Sequence, residues 1–509
     1  MMLEVLRQNR FMLNGNLLNL QLNLRRMIMK RLWMVLMLFA FVSQAQTGYR
    51  IELTVKGLKD TTAYLGYYYG ESTYLNDTSR VDATGKMVFD GKRTLPQGVY
   101  FLVLNKTRLF EFVVGKDQQF ILTTDQADYV KNMKVTGDED NRLFFENMLY
   151  NSARNKDAEP FLTVLRDSLA TEQKKLPAQE GLKKINEQVM AWQDELVKKY
   201  PGYLTTRIIK ATRQINIPEP PKKADGSVDS TFQFRYYRQH FWDNFDLADD
   251  ALIRMPRPIY QEKIKEYFTR LVPPIADSVN AEIDRLALIA KKNQETYKYF
   301  IWMNVIEFQM PKVMGLDAVF VHLIRKYFNS GEMDFWINAK MKSNLKERAD
   351  QMGLSLMGMT APNLIMQDKD LKVQDLHSMA TKKKYTILFI FDPDCGHCRE
   401  ETPKLVNFYN AYKNKFDLDV FAVSADSSMK KMRDFITEFK TPWITVNASR
   451  SYVGNYHKLY DADVTPSIYI IDNRKKIIAK KPPIEEFVNF FTNQEKISKT
   501  NPGGKPPGN

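Results

Sequence analysis

The sequence predicts a multidomain protein with an N-terminal antiparallel β-sandwich, a central all-α region and a C-terminal α/β domain. Three successive patterns of apolar residues along the 509-residue chain support this prediction. Apolar residues alternate with polar ones up to about residue 138, recur at helical spacing over 139–350, and form alternating strand-like and helix-like stretches over 355–496. A hydrophobic content of 44% is enough to build several cores in a chain of this length.

The predicted N-terminal domain covers residues 46–138. Its strands have period-two patterning, as at Ile51, Leu53 and Val55, and Thr84-Gly85-Lys86 marks a tight turn. Short strands joined by hairpins in this way are typical of a small β-sandwich. We therefore expect antiparallel strands in two packed sheets.

The predicted helical domain covers residues 139–350. Stretches such as GLKKINEQVMAWQDELVKKY place apolar side chains at i, i+3, i+4 and i+7, with charged residues between them. Lys and Arg alternate with Asp and Glu, so the formal net charge of +14 is not collected into a basic patch. This pattern argues against nucleic acid as a partner.

The first 45 residues predict a secretory signal peptide. A basic stretch, Arg25–Arg31, precedes an eleven-residue apolar run, Leu32–Val42, and Ser43-Gln44-Ala45 provides the small residues of a cleavage site. Residues 1–26 are interpreted as an upstream mis-start, since Met27 or Met29 would open a signal peptide of ordinary length. The apolar run rises only about 16 Å as a helix, short of a hydrocarbon core of about 30 Å. We expect export to the periplasm or cell envelope, with membrane contact only during export.

Both cysteines of the chain, Cys395 and Cys398, lie in the stretch FDPDCGHCREETPKL. A buried strand is predicted to end at Phe391 and a helix to begin at Cys395, where unpaired N–H groups and the helix dipole favour a thiolate. Cys398 lies one turn further on and is expected to be buried and protonated until it resolves a mixed disulfide. A disulfide between the two would close too small a loop to stabilise the fold, so the pair is interpreted as redox-active.

The CGHC motif, residues 395–398, at a strand-to-helix junction resembles a thioredoxin-fold redox site. The longer pattern from Ala361-Pro362 through this motif to Pro403 is similar to the extracytoplasmic TlpA/ResA-type thiol-disulfide oxidoreductases. The resemblance covers residues 358–493 and implies a thioredoxin-like fold for a domain over 355–496, followed by a flexible tail over 497–509. The first two thirds of the chain resemble β-rich and helical regions of unknown function that precede such domains in exported proteins of Bacteroidetes-type bacteria.

The resemblance also implies roles for residues outside the CGHC motif. Glu401 matches an acid near the active site and is expected to shuttle a proton of Cys398. Pro403 matches a proline that kinks the helix. Thr465-Pro466 matches a cis-proline loop opposite the cysteines, which is expected to hold the backbone of a substrate segment.

The residues around the cysteines also depart from the family pattern. Asp394 stands where the family usually has Trp, and Asp392 is two positions earlier; both carboxylates are expected to raise the pKa of Cys395. His397 is expected to act in the opposite sense, since an imidazolium stabilises a thiolate. With Gly396 these residues form the predicted redox-tuning set, and they predict an intermediate potential with no assigned direction of electron flow.

The sequence therefore predicts an exported thiol-disulfide oxidoreductase that exchanges disulfides with client proteins and an unidentified electron donor or acceptor, without an organic cofactor or metal. A zinc site would need further ligands, and the histidines show no H-x3-5-H pair. A peroxidase of the same superfamily is disfavoured because Asp392 occupies the threonine position of the usual T-x-x-C site. The alternative from another class is an envelope ligand- or partner-binding protein whose thioredoxin-like domain is accessory.

Overall fold

The computed structural model describes residues 48–222 and 225–500. The predicted signal peptide and residues 501–509 of the predicted tail lie outside the described residues. The chain divides into two compact units. The first contains Thr73–Arg207 and the chain up to Tyr68, and the second contains Tyr69–Ser72 and the chain from Ile208 onward.

The first unit contains a sandwich of two four-stranded sheets, with strand orders β4-β1-β7-β8 and β3-β2-β5-β6. Side chains that alternate along the strands, such as Ile51, Leu53 and Val55, are fully buried in the core between the sheets. The expectation of antiparallel strands is wrong for one pair, because β1 and β7 run parallel. The strands are β1 Tyr49–Lys56, β2 Thr61–Tyr69, β3 Ser72–Val81, β4 Lys86–Gly91, β5 Gly98–Leu104, β6 Thr107–Val114, β7 Gln119–Asp125 and β8 Lys134–Thr136.

Two long helices, α1 Glu139–Arg166 and α2 Glu172–Lys199, follow the sandwich. Asp138 caps α1 by accepting hydrogen bonds from the backbone N–H groups of Asp140 and Asn141, which satisfies donors that have no partner within the helix. The short helix α3, Leu204–Ala211, comes next.

The second unit begins with a helical part whose buried core is rich in aromatic residues, including Phe241, Phe300, Phe320 and Phe328. A π-helical turn, Ile324–Phe328, continues directly from α8. The helices are α4 Phe232–His240, α5 Ile259–Arg270, α6 Ala276–Ala290, α7 Gln294–Gln309, α8 Asp317–Leu323 and α9 Ala339–Met352, with a 3-10 turn at Asp250–Ile253.

The C-terminal part of the second unit is a seven-stranded sheet of order β10-β9-β13-β12-β11-β14-β15. The three strands β11, β12 and β13 run parallel, and the flanking strands pair antiparallel. The strands are β9 Ile365–Asp368, β10 Val373–Asp375, β11 Tyr385–Phe391, β12 Leu418–Ser424, β13 Ile444–Ser451, β14 Ser467–Asp472 and β15 Ile477–Lys480.

Helices cover both faces of this sheet, which is why every residue of β11 is buried. The helices are α10 Leu376–Ala380, α11 Gly396–Phe416, α12 Met429–Phe439, α13 Tyr456–Leu459 and α14 Phe487–Thr500, with a 3-10 turn at Ile484–Glu486. The predicted fold class of β-rich, helical and thioredoxin-like α/β parts is confirmed. The predicted domain boundaries stay predictions. Among the helices described here, none is both long and apolar enough to cross a membrane.

Candidate active site

The two cysteines lie where β11 gives way to α11. The strand ends at Phe391, α11 begins at Gly396, and Cys395 is the N-cap residue between them. From β11 the sheet extends through β12 on one side and through β14 on the other, so Cys395 lies at the point where the strand order reverses. Open α/β sheets bind ligands at such a point, outside the carboxyl ends of the strands.

The environment of Cys395 stabilises its thiolate. Burial raises the pKa of Cys395, but hydrogen bonds to the sulfur outweigh this effect and lower the pKa below its ordinary value. The largest contribution comes from the backbone N–H of Cys398, followed by the side chain of Thr465. The Cys398 thiol and the backbone N–H of His397 add to it. These backbone donors are free because the first turn of a helix leaves its N–H groups without intrahelical partners.

Cys398 shows the opposite shift. Its side chain is fully buried, and burial is the main cause that raises its pKa to about 12. The backbone N–H of Asp392 donates to the Cys398 sulfur over 3.4 Å. At neutral pH one thiol of the pair is therefore activated while the other stays protonated.

The Thr465-Pro466 loop lies against the reactive sulfur. Its peptide bond is cis, and the Cys395 thiol donates to the Thr465 carbonyl over 3.4 Å. The adjoining Val464 is 63% exposed. The loop beside the sulfur is therefore open to solvent on one side, which is what an incoming extended segment needs to approach it.

The acidic residues before the dithiol lie close to a cation that sequence reasoning did not identify. Asp394 was expected to raise the pKa of Cys395, but its carboxylate pairs with Lys431 at 2.7 Å. Lys431 also pairs with Asp426 at 2.9 Å. Oxygens of Asp392, Asp394 and Asp426 lie within 4.8 Å of one another, and the ammonium group of Lys431 offsets their charge. The net shift of the Cys395 pKa is downward, opposite to the effect expected of the two carboxylates.

His397 and Gly396 form the first residues of α11 after the N-cap. The His397 side chain is 84% exposed and lies 3.5 Å from Glu400, and the backbone N–H of His397 contributes to the lowered pKa of Cys395. A Cβ added at Gly396 would meet nothing within 4 Å. Space around the helix start therefore does not require glycine at this position.

Glu401 lies three residues after Cys398 on α11, and its carboxylate accepts a hydrogen bond from Lys404 at 2.6 Å. Lys404 also contacts Glu485 at 2.6 Å. Pro403 lies inside α11. Glu401 is thus part of an ion-pair network at the helix surface.

Sequence reasoning missed Lys431, which lies on α12, 33 residues after Cys398. Its only sequence signal was a lysine in an amphipathic helix, and such lysines are common on solvated faces. The contact between Lys431 and the acidic residues depends on how α12 packs beside β11 and β12, and local periodicity does not encode that arrangement.

The seven-stranded sheet, with a dithiol at the end of β11 and a cis-proline loop at the start of β14, defines a thioredoxin-like protein. Family comparison agrees: residues 356–488 match the Redoxin family, so this part of the chain belongs to that family. Residues 173–349 and 49–144 match two families described as domains of unknown function, DUF5106 and DUF4369.

Several solved structures are similar to the chain. A domain of a possible thiol-disulfide isomerase from Cytophaga hutchinsonii is 35% identical over 29% of this chain and 97% of its own, with a TM-score of 0.27. The thioredoxin domain of a thiol-disulfide oxidoreductase from Bacteroides vulgatus is 26% identical over 28% of this chain and 96% of its own, with a TM-score of 0.24. A thioredoxin-like protein from Bacteroides caccae is 17% identical over 55% of this chain and 99% of its own, with a TM-score of 0.43.

Proposed function

We propose that this protein is an exported thiol-disulfide oxidoreductase that exchanges disulfides with proteins of the cell envelope. The observation that carries the proposal is the opposite pKa shift of two cysteines one helical turn apart, downward at Cys395 and upward at Cys398. An activated sulfur beside a protonated one is the arrangement that a two-step exchange requires.

In the reducing direction, the Cys395 thiolate attacks one sulfur of a client disulfide. A Cys395–client disulfide forms, the client S–S bond breaks, and the released client thiolate takes up a proton. Cys398 then loses its proton and attacks the Cys395 sulfur, which forms the Cys395–Cys398 disulfide and releases the second client thiol. Two electrons have passed to the client, and a donor thiol protein returns the pair to the dithiol; oxidation of a client dithiol is the same sequence in reverse.

A loop and one further residue support these steps. The Thr465-Pro466 loop holds the client backbone next to Cys395, a role supported by the contact of the Thr465 carbonyl with the sulfur. Glu401, one turn after Cys398 on the same helix, is the proposed acceptor of the Cys398 proton.

The export part of the proposal rests on the signal-peptide pattern of residues 25–45. Cell fractionation with N-terminal sequencing of the mature protein tests it. We expect an envelope protein that begins at Gln46; a full-length protein in the cytoplasm contradicts export.

The function is tested with Cys398→Ser in the full chain. Without a resolving thiol the mixed disulfide persists, so incubation with envelope proteins should give covalent adducts that dithiothreitol releases, identified by mass spectrometry after non-reducing electrophoresis. The matched control, Cys395→Ser, should give none. If no adduct forms, if the wild-type protein reduces neither insulin nor a model disulfide, and if an N-terminal fragment binds a specific envelope component, the protein is a binding protein instead.

A further inference from the structure

The segment that leads into the Thr465-Pro466 loop is held by residues of the preceding helical part of the same unit. This segment, residues 457–464, runs from α13 to Thr465, whose carbonyl contacts Cys395. The helix that holds it is α9, the last one before the seven-stranded sheet. The position of the Thr465-Pro466 loop therefore depends on residues outside the sheet.

Arg348, near the end of α9, makes the central contacts. Its guanidinium pairs with Asp461 at 2.6 Å and with Asp463 at 2.8 Å. The Arg348 side chain is 23% exposed and that of Asp461 only 5%. Two nitrogens of the guanidinium fork make these contacts: one donates a hydrogen bond to Asp463 and the other forms a close ion pair with Asp461. One cation thus joins two carboxylates two residues apart and restricts the position of the chain between them.

Neighbouring residues hold the same segment through its backbone. Gln351, also on α9, donates to the backbone carbonyl of His457 at 2.7 Å and to Asp463 at 3.1 Å. The backbone N–H of Asp461 donates to the hydroxyl of Ser355 at 3.3 Å. The segment is thus held at three positions over seven residues.

A buried lysine holds the same segment from the sheet. Lys480, at the end of β15, pairs with Asp461 at 3.3 Å and with Asp317 of α8 at 2.5 Å. Asp461 therefore receives cations from the sheet edge and from α9, and its backbone carbonyl accepts from the Tyr469 hydroxyl of β14 at 3.1 Å.

We propose that Arg348 is a positioning residue for disulfide exchange, which acts through Asp461 and Asp463 to hold the Thr465 carbonyl beside Cys395. The inference rests on the proposed function and adds a role to it: the helical part holds in place the Thr465-Pro466 loop on which a protein client docks. Arg348 touches neither sulfur, so its effect is transmitted entirely through the segment 461–465.

The two classes of substrate should respond differently to a loosened loop. A small disulfide needs only the activated Cys395 sulfur, and the largest contribution to that activation comes from the backbone N–H of Cys398 on α11, with a smaller one from Thr465. A protein disulfide must also align its backbone with the loop, and a displacement of about 1 Å can slow such a reaction by about 100-fold. The ratio of the two activities therefore reports on positioning and not on folding.

The test uses Arg348→Ala in the full chain. We expect kcat/KM for reduction of insulin to fall about tenfold, mostly through a higher KM, while kcat/KM for exchange with hydroxyethyl disulfide falls much less. Amide hydrogen exchange of peptides covering 457–470 should be about tenfold faster. Arg348→Lys, which keeps the charge but not the fork, should recover part of the loss.

The matched control is Lys346→Ala, on the same helix. Lys346 pairs with Asp350 at 2.5 Å, and both side chains are half exposed, so all measurements should equal those of the wild type. The inference is overturned if Arg348→Ala leaves insulin reduction unchanged, leaves the amide hydrogen exchange of 457–470 unchanged, or loses equal activity towards insulin and hydroxyethyl disulfide. Each of these outcomes leaves the proposed function standing. A wild-type protein that exchanges neither disulfide overturns the proposed function and this inference with it.

Discussion

At the residue scale, two chemically identical side chains acquire opposite properties within one helical turn. Cys395, at the N-cap of α11, faces backbone N–H groups that the helix cannot use, and its pKa falls. Cys398 is inside the fold, where no comparable set of donors offsets the loss of water, and its pKa rises to about 12. The two thiols that we propose as nucleophile and resolving thiol thus differ only in their position in the fold.

This difference predicts the pH dependence of alkylation. Since the folded-state pKa of Cys395 is lowered, its reaction with iodoacetamide should reach half its maximal rate at a lower pH than that of an ordinary free thiol measured alongside. Cys398 should remain unmodified in the native protein and react only after unfolding. Mass spectrometry of peptides quenched at each pH measures both. A Cys395 profile centred at or above that of a free thiol contradicts the prediction.

The ion pairs of Lys431 predict that this lysine helps to keep the pKa of Cys395 low. In Lys431→Ala the carboxylates of Asp394 and Asp426 lose their cation, so the pKa of Cys395 should rise and its alkylation rate at pH 7 should fall about twofold, because exposed charges are screened. In 1 M salt the difference should disappear.

The adjacent lysine provides the control for this experiment. Lys430 pairs with Asp434 at 2.6 Å on the solvent-exposed face of α12, where the two side chains are 85% and 60% exposed. Lys430→Ala also removes one positive charge from the same helix but should leave the alkylation rate unchanged. Equal effects of the two variants would mean that Lys431 acts only through the net charge of the protein.

At the scale of elements, strand β15 and helix α8 are joined by a buried ion pair. The side chains of Lys480 and Asp317 are only 5% and 8% exposed, and their charged groups lie 2.5 Å apart. Removing one partner of such a pair leaves a charge with neither water nor counter-ion, which usually costs more than the intact pair contributes.

This pair predicts a strongly non-additive double mutant. Lys480→Met leaves Asp317 without its cation and should lower the free energy of unfolding by about 3–5 kcal/mol. Asp317→Leu should lower it less, because Lys480 keeps Asp461 at 3.3 Å. The double variant should lose much less than the sum of the two. Urea unfolding at pH 7 measures all three. The control Lys346→Met, at an exposed pair, should change stability by less than about 1 kcal/mol. Additive losses would show that the two charges do not interact.

At the scale of the whole molecule, the ion pairs around Asp461 link stability to acid pH. Burial alone would raise the pKa of Asp461, but the charges of Lys480, Lys481 and Arg348 outweigh it and lower the pKa to about 2. The unfolded chain therefore binds a proton at higher pH than the folded chain does. The stabilisation from Asp461 is complete above the unfolded-state pKa of about 4 and is lost as the pH falls towards 2.

We expect this residue to contribute about 2 kcal/mol at neutral pH. Asp461→Asn should be less stable than the wild type by at least this amount at pH 6, and the difference should narrow between about pH 4 and pH 2. Chemical unfolding at a series of pH values measures it. Asp463→Asn, at a carboxylate that is 52% exposed, is the control. Its difference in stability from the wild type should change much less over the same pH range. A difference for Asp461→Asn that stays constant down to pH 2 contradicts the assigned cause.

Much of the fold could be predicted from the sequence because it follows from local patterns. The alternation in β1, the unbroken apolar run of β11 and the helical spacing after Pro403 each correspond to an element. The short strands β9 and β10 were not predicted, because three or four partly exposed residues carry too little period-two signal.

Some residues of the candidate site could also be predicted from local sequence, and others could not. Cys395 and Cys398 could be placed from their spacing and from the helix start, which are local features. The contacts of Lys431 with Asp394 and of Arg348 and Lys480 with Asp461 could not, since each joins residues at least 19 positions apart through tertiary packing. A charged side chain in an amphipathic helix has the same sequence signature whether it is solvated or part of a site.

The burial of Cys398 has a practical consequence. Of the two cysteines in the chain, only Cys395 is partly open to solvent, so the native protein offers a single attachment point for a fluorine or spin label without any engineered residue. Such a label would sit beside the Thr465 carbonyl, and its spectrum would report the motion of that loop directly as partners arrive and leave.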